Sequence, residues 1–203
     1  MSVICIFGDS ITYGACDIDG GGWANRLRRY IENKSYYEDM VYILGVDGDT
    51  SESLLERFNR ECFARKLNII IFAIGINDSL FYNKDIKINL TPLDTYKKNI
   101  NKLLSKAKEY TEKIIFIGLT KVEDLKTNPF LDSSTGKCYQ NSLIIRYNEA
   151  LEKICLEKNL LFIKIYDLLD NSDLEDGLHP NAKGHEKMFK KIKDDLIKNK
   201  IIL

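Results

Sequence analysis

Long hydrophobic runs are missing from this sequence. None approaches the roughly 18 apolar residues that a membrane-crossing helix requires, so no membrane insertion is expected. Charge of one sign is missing too. Lys plus Arg number 30 and Asp plus Glu number 30, which leaves no global field to draw nucleic acid or an anionic bilayer as a partner. The five cysteines, Cys5, Cys16, Cys62, Cys138 and Cys155, are odd in number, scattered, and never in a Cys-x-x-Cys pair, which argues against a disulfide or metal framework. Cys5, Cys62 and Cys155 fall on apolar faces as small hydrophobes, whereas Cys16 follows close behind Ser10. His-Glu-x-x-His is absent, and Gly20-Gly21-Gly22 lacks the Gly-Lys-Ser/Thr ending of a phosphate loop, so neither a metal nor a cofactor is expected. The start shows no basic leader or small-residue cleavage site, and a cytoplasmic location is expected. With no repeat, low-complexity tract or linker, 203 residues suit a single domain spanning 1–203.

Against these absences stand five short apolar runs: "VICIF" (3–7), "MVYILGV" (40–46), "NIIIFAIG" (68–75), "KIIFIGLT" (113–120) and "LLFIKIY" (160–166). They are mostly unbroken rather than alternating, the pattern of strands covered on both faces in a parallel sheet. Helical stripes lie between them. Tyr96, Ile100, Leu103, Leu104 and Ala107 form one, with Thr91 as the expected N-cap and Pro92 as the first helical residue. Ile144, Tyr147, Leu151 and Ile154 form another, and Leu54 or Leu55 with Phe58 and Cys62 a third. A lysine-rich amphipathic helix over 181–198 carries Phe189, Ile192 and Leu196 on its apolar side; its basic side reads as solvated. Strand and helix thus alternate, predicting a three-layer α/β domain with a mostly parallel five-stranded sheet. In such sheets ligands gather beyond the carboxyl ends of the strands.

Polar residues capable of chemistry stand just after the apolar runs. "GDS" (8–10) follows the first, "GVDGDTS" (45–51) the second and "GINDS" (75–79) the third; "DGLHPNAKG" (176–184) follows the last after a short segment. A serine hydroxyl attacks poorly without a neighbouring base, and only two histidines exist to supply one. His185 lies within the final helical pattern, so His179 is the preferred base. Asp176, three residues before it, can fold back within one turn onto the imidazole Nδ1–H and fix its tautomer. Donors for a developing oxyanion are available from the Ser10 N–H, the Gly48 N–H and the Asn77 side-chain amide. Gly8 allows a tight exit from the first strand, and Asp9 reads as a loop brace that accepts backbone hydrogen bonds.

These four blocks, "FGDSIT", "GVDGDTS", "IGINDS" and "DGLHPNAKG", in this order, resemble the SGNH, or GDSL, hydrolase superfamily. The resemblance implies a flavodoxin-like α/β/α fold and hydrolysis of esters, thioesters or acetylated sugars without a metal. It also implies a triad of Ser10, His179 and Asp176, with Ser10, Gly48 and Asn77 as the oxyanion hole. A small-molecule ester, with a short or acetyl acyl group, is the expected partner. Segment 121–142 matches no block of that superfamily and is expected to line or lid the pocket. Tyr13, Trp23, Phe81, Tyr82 and Phe130 are aromatic candidates for its wall, with core packing the equal alternative.

Two other classes fit parts of the pattern. A receiver-like signalling domain would use Asp9 for Mg²⁺, Asp78 as phosphoacceptor and Lys121 after strand four, but it leaves Ser10, Asp176 and His179 without a purpose. A catalytically silent ester- or glycan-binding module would keep the scaffold without needing all three.

Overall fold

The computed structural model describes residues 1–82, 88–131 and 133–203. In chain order its elements are β1 (Val3–Gly8), α1 (Ser10–Tyr13), α2 (Gly22–Lys34), β2 (Met40–Gly45), α3 (Ser51–Phe63), β3 (Ile69–Ala73), β4 (Phe81–Tyr82), α4 (Leu93–Ala107), β5 (Ile114–Ile117), α5 (Asp124–Thr127), β6 (Lys137–Cys138), α6 (Asn141–Glu157), β7 (Leu161–Ile163) and α7 (Ala182–Lys198). The five apolar runs become one parallel sheet in the order β2-β1-β3-β5-β7. Position in that order explains the runs. Every residue of β1 and β5 is buried, as is nearly all of β3, because helices cover both faces of these inner strands. The edge strands β2 and β7 are only partly buried. Helix α2 packs on α7, while α3, α4 and α6 pack in series, giving the two helical layers of an α/β/α sandwich.

Phe7, Phe58, Phe72 and Phe116 stack through the middle of the core, with neighbouring ring centroids 5.0–5.7 Å apart. Truncating one such ring to alanine typically costs about 3–5 kcal/mol. Trp23 is fully buried in the same core, so it takes the packing alternative and does not line the cleft at Ser10. Cys5, Cys62 and Cys155 are buried as expected, and burial pushes each thiol up to about 12.

Three local features differ from the sequence reading. Helix α4 begins at Leu93 with Pro92 in the N-cap position, one residue later than expected. The Thr91 hydroxyl is not available to cap it, because it bonds the buried Asp78 carboxyl instead. The strands are also shorter than the apolar runs, which continue into turns whose side chains (Ile74, Ile165) remain in the core. Finally, β4 and β6 form a separate two-stranded antiparallel sheet, pairing Phe81 with Cys138 and Tyr82 with Lys137. Two-residue strands leave no periodic signal to read.

Candidate active site

The strand β1 ends on Gly8 because nothing larger fits. A Cβ there would lie 2.5 Å from the Ala73 carbonyl oxygen on the neighbouring strand and closer still to Thr12. Asp9 follows as the N-cap of α1, its Oδ1 accepting from the Ile11 N–H at 3.0 Å. Ser10 is therefore the first residue of a helical turn, where the backbone N–H has no intrahelical acceptor. Burial pushes the Asp9 carboxyl up to about 7, with the Ile11 hydrogen bond working against the rise. It braces the turn from beneath, in keeping with its reading as a loop residue.

From the far end of the chain, the loop before α7 reaches this turn. Ser10 Oγ lies 2.9 Å from His179 Nε2, and His179 Nδ1 lies 2.6 Å from Asp176 Oδ2. The other Asp176 oxygen accepts from the backbone N–H groups of Leu178 (2.8 Å) and His179 (2.7 Å), so the carboxylate is pinned by its own loop. Burial works to raise the Asp176 pKa, but the His179 ring and these backbone donors outweigh it and hold the carboxyl below its usual range. Burial works to lower the His179 pKa; the bond and charge of Asp176, with help from Asp9 and Asp47, outweigh it and raise the imidazole above 6.5.

The second histidine has a different task. His185 sits fully buried on α7, where its Nδ1 accepts from the Trp23 N–H (3.2 Å) and its Nε2–H donates to the Ala15 carbonyl (3.0 Å). Burial lowers its pKa, and the neutral ring ties the loop after α1 to the last helix.

Gly48 and Asn77 line the same cleft as Ser10 and His179. Gly48 holds φ at +75°, a left-handed conformation that costs a glycine little. The Asn77 amide donates one of its two hydrogens to the Asp49 carbonyl at 2.9 Å, which leaves the second for a ligand. Its Oδ1 accepts from the Tyr139 hydroxyl at 2.8 Å. The two bonds fix the amide in one orientation, nitrogen on the Gly48 side. Tyr139 is buried, and burial beside several carboxylates raises its pKa, so the hydroxyl stays a donor.

A polar network anchors these loops. Arg57 on α3 reaches Asp49 (Nη2 to Oδ2, 2.6 Å), the Leu44 carbonyl (2.8 Å) and the Gly8 carbonyl (3.3 Å), tying the ends of β1 and β2 to the Gly48 turn. Asp78 accepts from the Ser51 N–H (2.9 Å) and hydroxyl (2.5 Å), locking the start of α3 to the Asn77 loop. From the sequence Asp78 stands out only as a strand-end residue and rival phosphoacceptor, and nothing singles out Arg57, Asp49 and Tyr139; an acid and an arginine eight residues apart, one in a loop and one in a helix, carry no recognisable spacing.

The cleft encloses about 260 Å³. Segment 121–142 supplies much of its outer wall, through Phe130, Ser133, Ser134, Thr135, Lys137 and Tyr139. The Phe130 ring stands edge-on to both Tyr139 and His179. Of the other aromatic candidates, Phe81 is buried and Tyr82 half-buried in the small sheet, and Tyr13 is exposed. No helix among the described residues is long and apolar enough to cross a membrane.

A five-stranded parallel α/β/α sheet with serine, glycine, asparagine and histidine on one rim defines the GDSL class of esterases and acylhydrolases. The profile of the GDSL-like Lipase/Acylhydrolase family matches residues 6–187, and the chain belongs to that family. A multidomain esterase of Ruminococcus flavefaciens is 28% identical over 90% of this chain; the match covers only 27% of that longer protein. Among solved structures, the lipase/acylhydrolase from Enterococcus faecalis superposes with a TM-score of 0.77 at 23% identity, covering 97% of this chain and 95% of the other. A catalytic mutant of an acetylxylan esterase from Geobacillus stearothermophilus superposes with a TM-score of 0.75 at 20% identity, covering 96% and 94%. At those identities the structural likeness speaks for the fold.

Proposed function

We propose that the chain is a single-domain serine esterase that cleaves short-chain or acetyl esters, acetylated carbohydrates among them, through an acyl-enzyme. One observation carries this reading: the continuous Ser10–His179–Asp176 chain of hydrogen bonds, 2.9 and 2.6 Å long, at the mouth of a cleft. His179 Nε2 takes the proton as Ser10 Oγ attacks the ester carbonyl carbon, and Asp176 stabilises the imidazolium that results. Negative charge on the carbonyl oxygen is met by the Ser10 N–H, the Gly48 N–H and the second hydrogen of the Asn77 amide. His179 then returns the proton to the departing alcohol. A water deprotonated by the same ring releases the acid and restores Ser10.

Size and polarity favour small substrates. At about 260 Å³ the cleft lies below the usual range for drug-sized ligands, and Ser133, Ser134, Thr135, Lys137 and Asp47 make its wall slightly more polar than apolar. A long acyl chain would find only Phe130, Tyr139 and Leu178 as large apolar partners there, whereas sugar hydroxyls would find donors and acceptors. The acetylxylan esterase named above has the same fold. A phosphoacceptor role fits poorly: Asp78 is fully buried and already bonded to Ser51 and Thr91. The test is a hydrolysis screen over p-nitrophenyl acetate, butyrate and octanoate and acetylated xylo-oligosaccharides, with Ser10→Ala as control. Turnover falling from acetyl to octanoyl and vanishing in Ser10→Ala supports the reading. Wild-type rates in Ser10→Ala, or octanoate as the best substrate, contradict it.

A further inference from the structure

The loop after α1 brings a thiol up to the catalytic pair. Cys16 Sγ, a carboxylate oxygen of Asp176 and a ring nitrogen of His179 all lie within 4.8 Å of one another. Cys16 is exposed, and it borders a second open cleft with Tyr13, Asn25 and Ile43, so a small solute reaches it from solvent. Its position is also held firmly, because the preceding Ala15 carbonyl accepts from the buried His185 ring and Asp176 is pinned by backbone donors. Sulfur, imidazole nitrogen and carboxylate oxygen together form a donor set suited to Zn²⁺; Mg²⁺ and Ca²⁺ call for oxygen alone. With Zn–S near 2.3 Å and Zn–N near 2.0 Å, donor atoms in a tetrahedral site stand roughly 3.3–3.6 Å apart. Cys16 Sγ needs to approach by about 1 Å through rotation of its side chain, and the Asp176–His179 pair, 2.6 Å apart through Nδ1, needs to open by slightly less as the metal takes the place of the proton between them.

We propose that Cys16, Asp176 and His179 form an inhibitory Zn²⁺ site, through which a soft divalent cation reversibly switches the hydrolase off. Binding releases the Cys16 thiol proton to solvent and leaves a fourth position for water. Asp176 faces Nδ1 and Ser10 faces Nε2, so a metal shared with Asp176 is held through Nδ1. Ligation through Nδ1 moves the ring proton to Nε2, which then presents an N–H to Ser10 instead of a base. The metal is thus an inhibitor of the reaction and not a participant in it.

The inhibitory half of this inference rests on the proposed esterase function; the binding half does not, and two measurements separate them. Co²⁺ added to the purified protein should produce a thiolate-to-metal charge-transfer absorption in the near ultraviolet, absent from Cys16→Ala. In a non-chelating buffer, ZnCl₂ should abolish hydrolysis of p-nitrophenyl acetate, with recovery on adding EDTA. Expressed against each protein's own metal-free rate, the half-inhibiting Zn²⁺ concentration should rise at least about tenfold in Cys16→Ala, since losing even an outer-shell partner typically costs 10–100-fold in metal affinity. Equal Zn²⁺ sensitivity in the two proteins overturns the proposal, and so does a cobalt spectrum that Cys16→Ala leaves unchanged. A wild-type thiolate band without any ester hydrolysis would instead support the site and refute the catalytic reading.

Discussion

On the sheet side of the cleft, Gly48 and Asn77 sit on loops that Arg57, Asp49, Asp78 and Ser51 bind to the ends of β1, β2 and α3 through buried ionic and hydrogen bonds. On the opposite side, Phe130, Ser133, Ser134, Thr135 and Lys137 come from a segment in which the described residues before α6 form one turn of helix and two residues of strand. On the proposed mechanism the first wall keeps the donors at fixed positions, because a donor that must reorganise during reaction loses much of its worth. On that mechanism the second wall would meet the parts of the substrate that do not react. Substitutions on the two sides should therefore separate kinetically, with the sheet side acting on kcat and segment 121–142 acting on KM.

The largest expected effect comes from the centre of the first wall. Ser10→Ala should lower kcat about 10⁵–10⁶-fold in a p-nitrophenyl acetate assay, with the folded circular dichroism spectrum retained. Asp176→Asn should follow with about a 10⁴-fold loss, and it also carries a pH signature. A raised His179 pKa means that the ring is protonated, and unable to accept from Ser10, at pH values below a midpoint lying above 6.5; activity should rise with pH through that midpoint. Removing the Asp176 charge takes away the chief cause of the rise, so the acid limb should move to lower pH. An unmoved limb would show that some other group controls it.

Asn77→Ala should cost about 10²–10³-fold in kcat with KM little changed, the usual price of one oxyanion donor. Tyr139 tests how the two walls meet, since it belongs to the outer segment yet bonds the Asn77 amide. Tyr139→Phe removes one hydrogen bond, of about 0.5–1.5 kcal/mol, and should lower kcat about 2–10-fold without altering KM. Smallest of all, Phe130→Ala should raise KM a few-fold, about 1 kcal/mol of lost contact, and leave kcat near wild type. If Phe130→Ala struck kcat as hard as Asn77→Ala, the contrast between the walls would fail.

The same contrast explains what was legible in the sequence. Strands β1, β3 and β5 could be read because both of their faces are buried, which forces unbroken apolar runs. Ser10, Gly48, Asn77, Asp176 and His179 stood out because each follows a strand end or sits in a short local motif, where its chemistry has an obvious use. What binds those residues was not legible. Arg57 and Asp49 meet only after α3 folds against the sheet, and Tyr139 finds Asn77 across 62 residues of chain. The start of α4 was misplaced for a related reason: the hydroxyl expected to cap it is drawn to a buried carboxyl that sequence spacing does not reveal. Trp23 shows the converse, a residue whose type suits a binding wall but whose position is in the core.

The most direct test of the catalytic account is intact-protein and peptide mass spectrometry after treatment with a fluorophosphonate. The account predicts one adduct, on the peptide containing Ser10, with labelling strongly slowed in His179→Ala. An active protein that takes up no label, or takes it up on another residue while Ser10 stays unmodified, would contradict it.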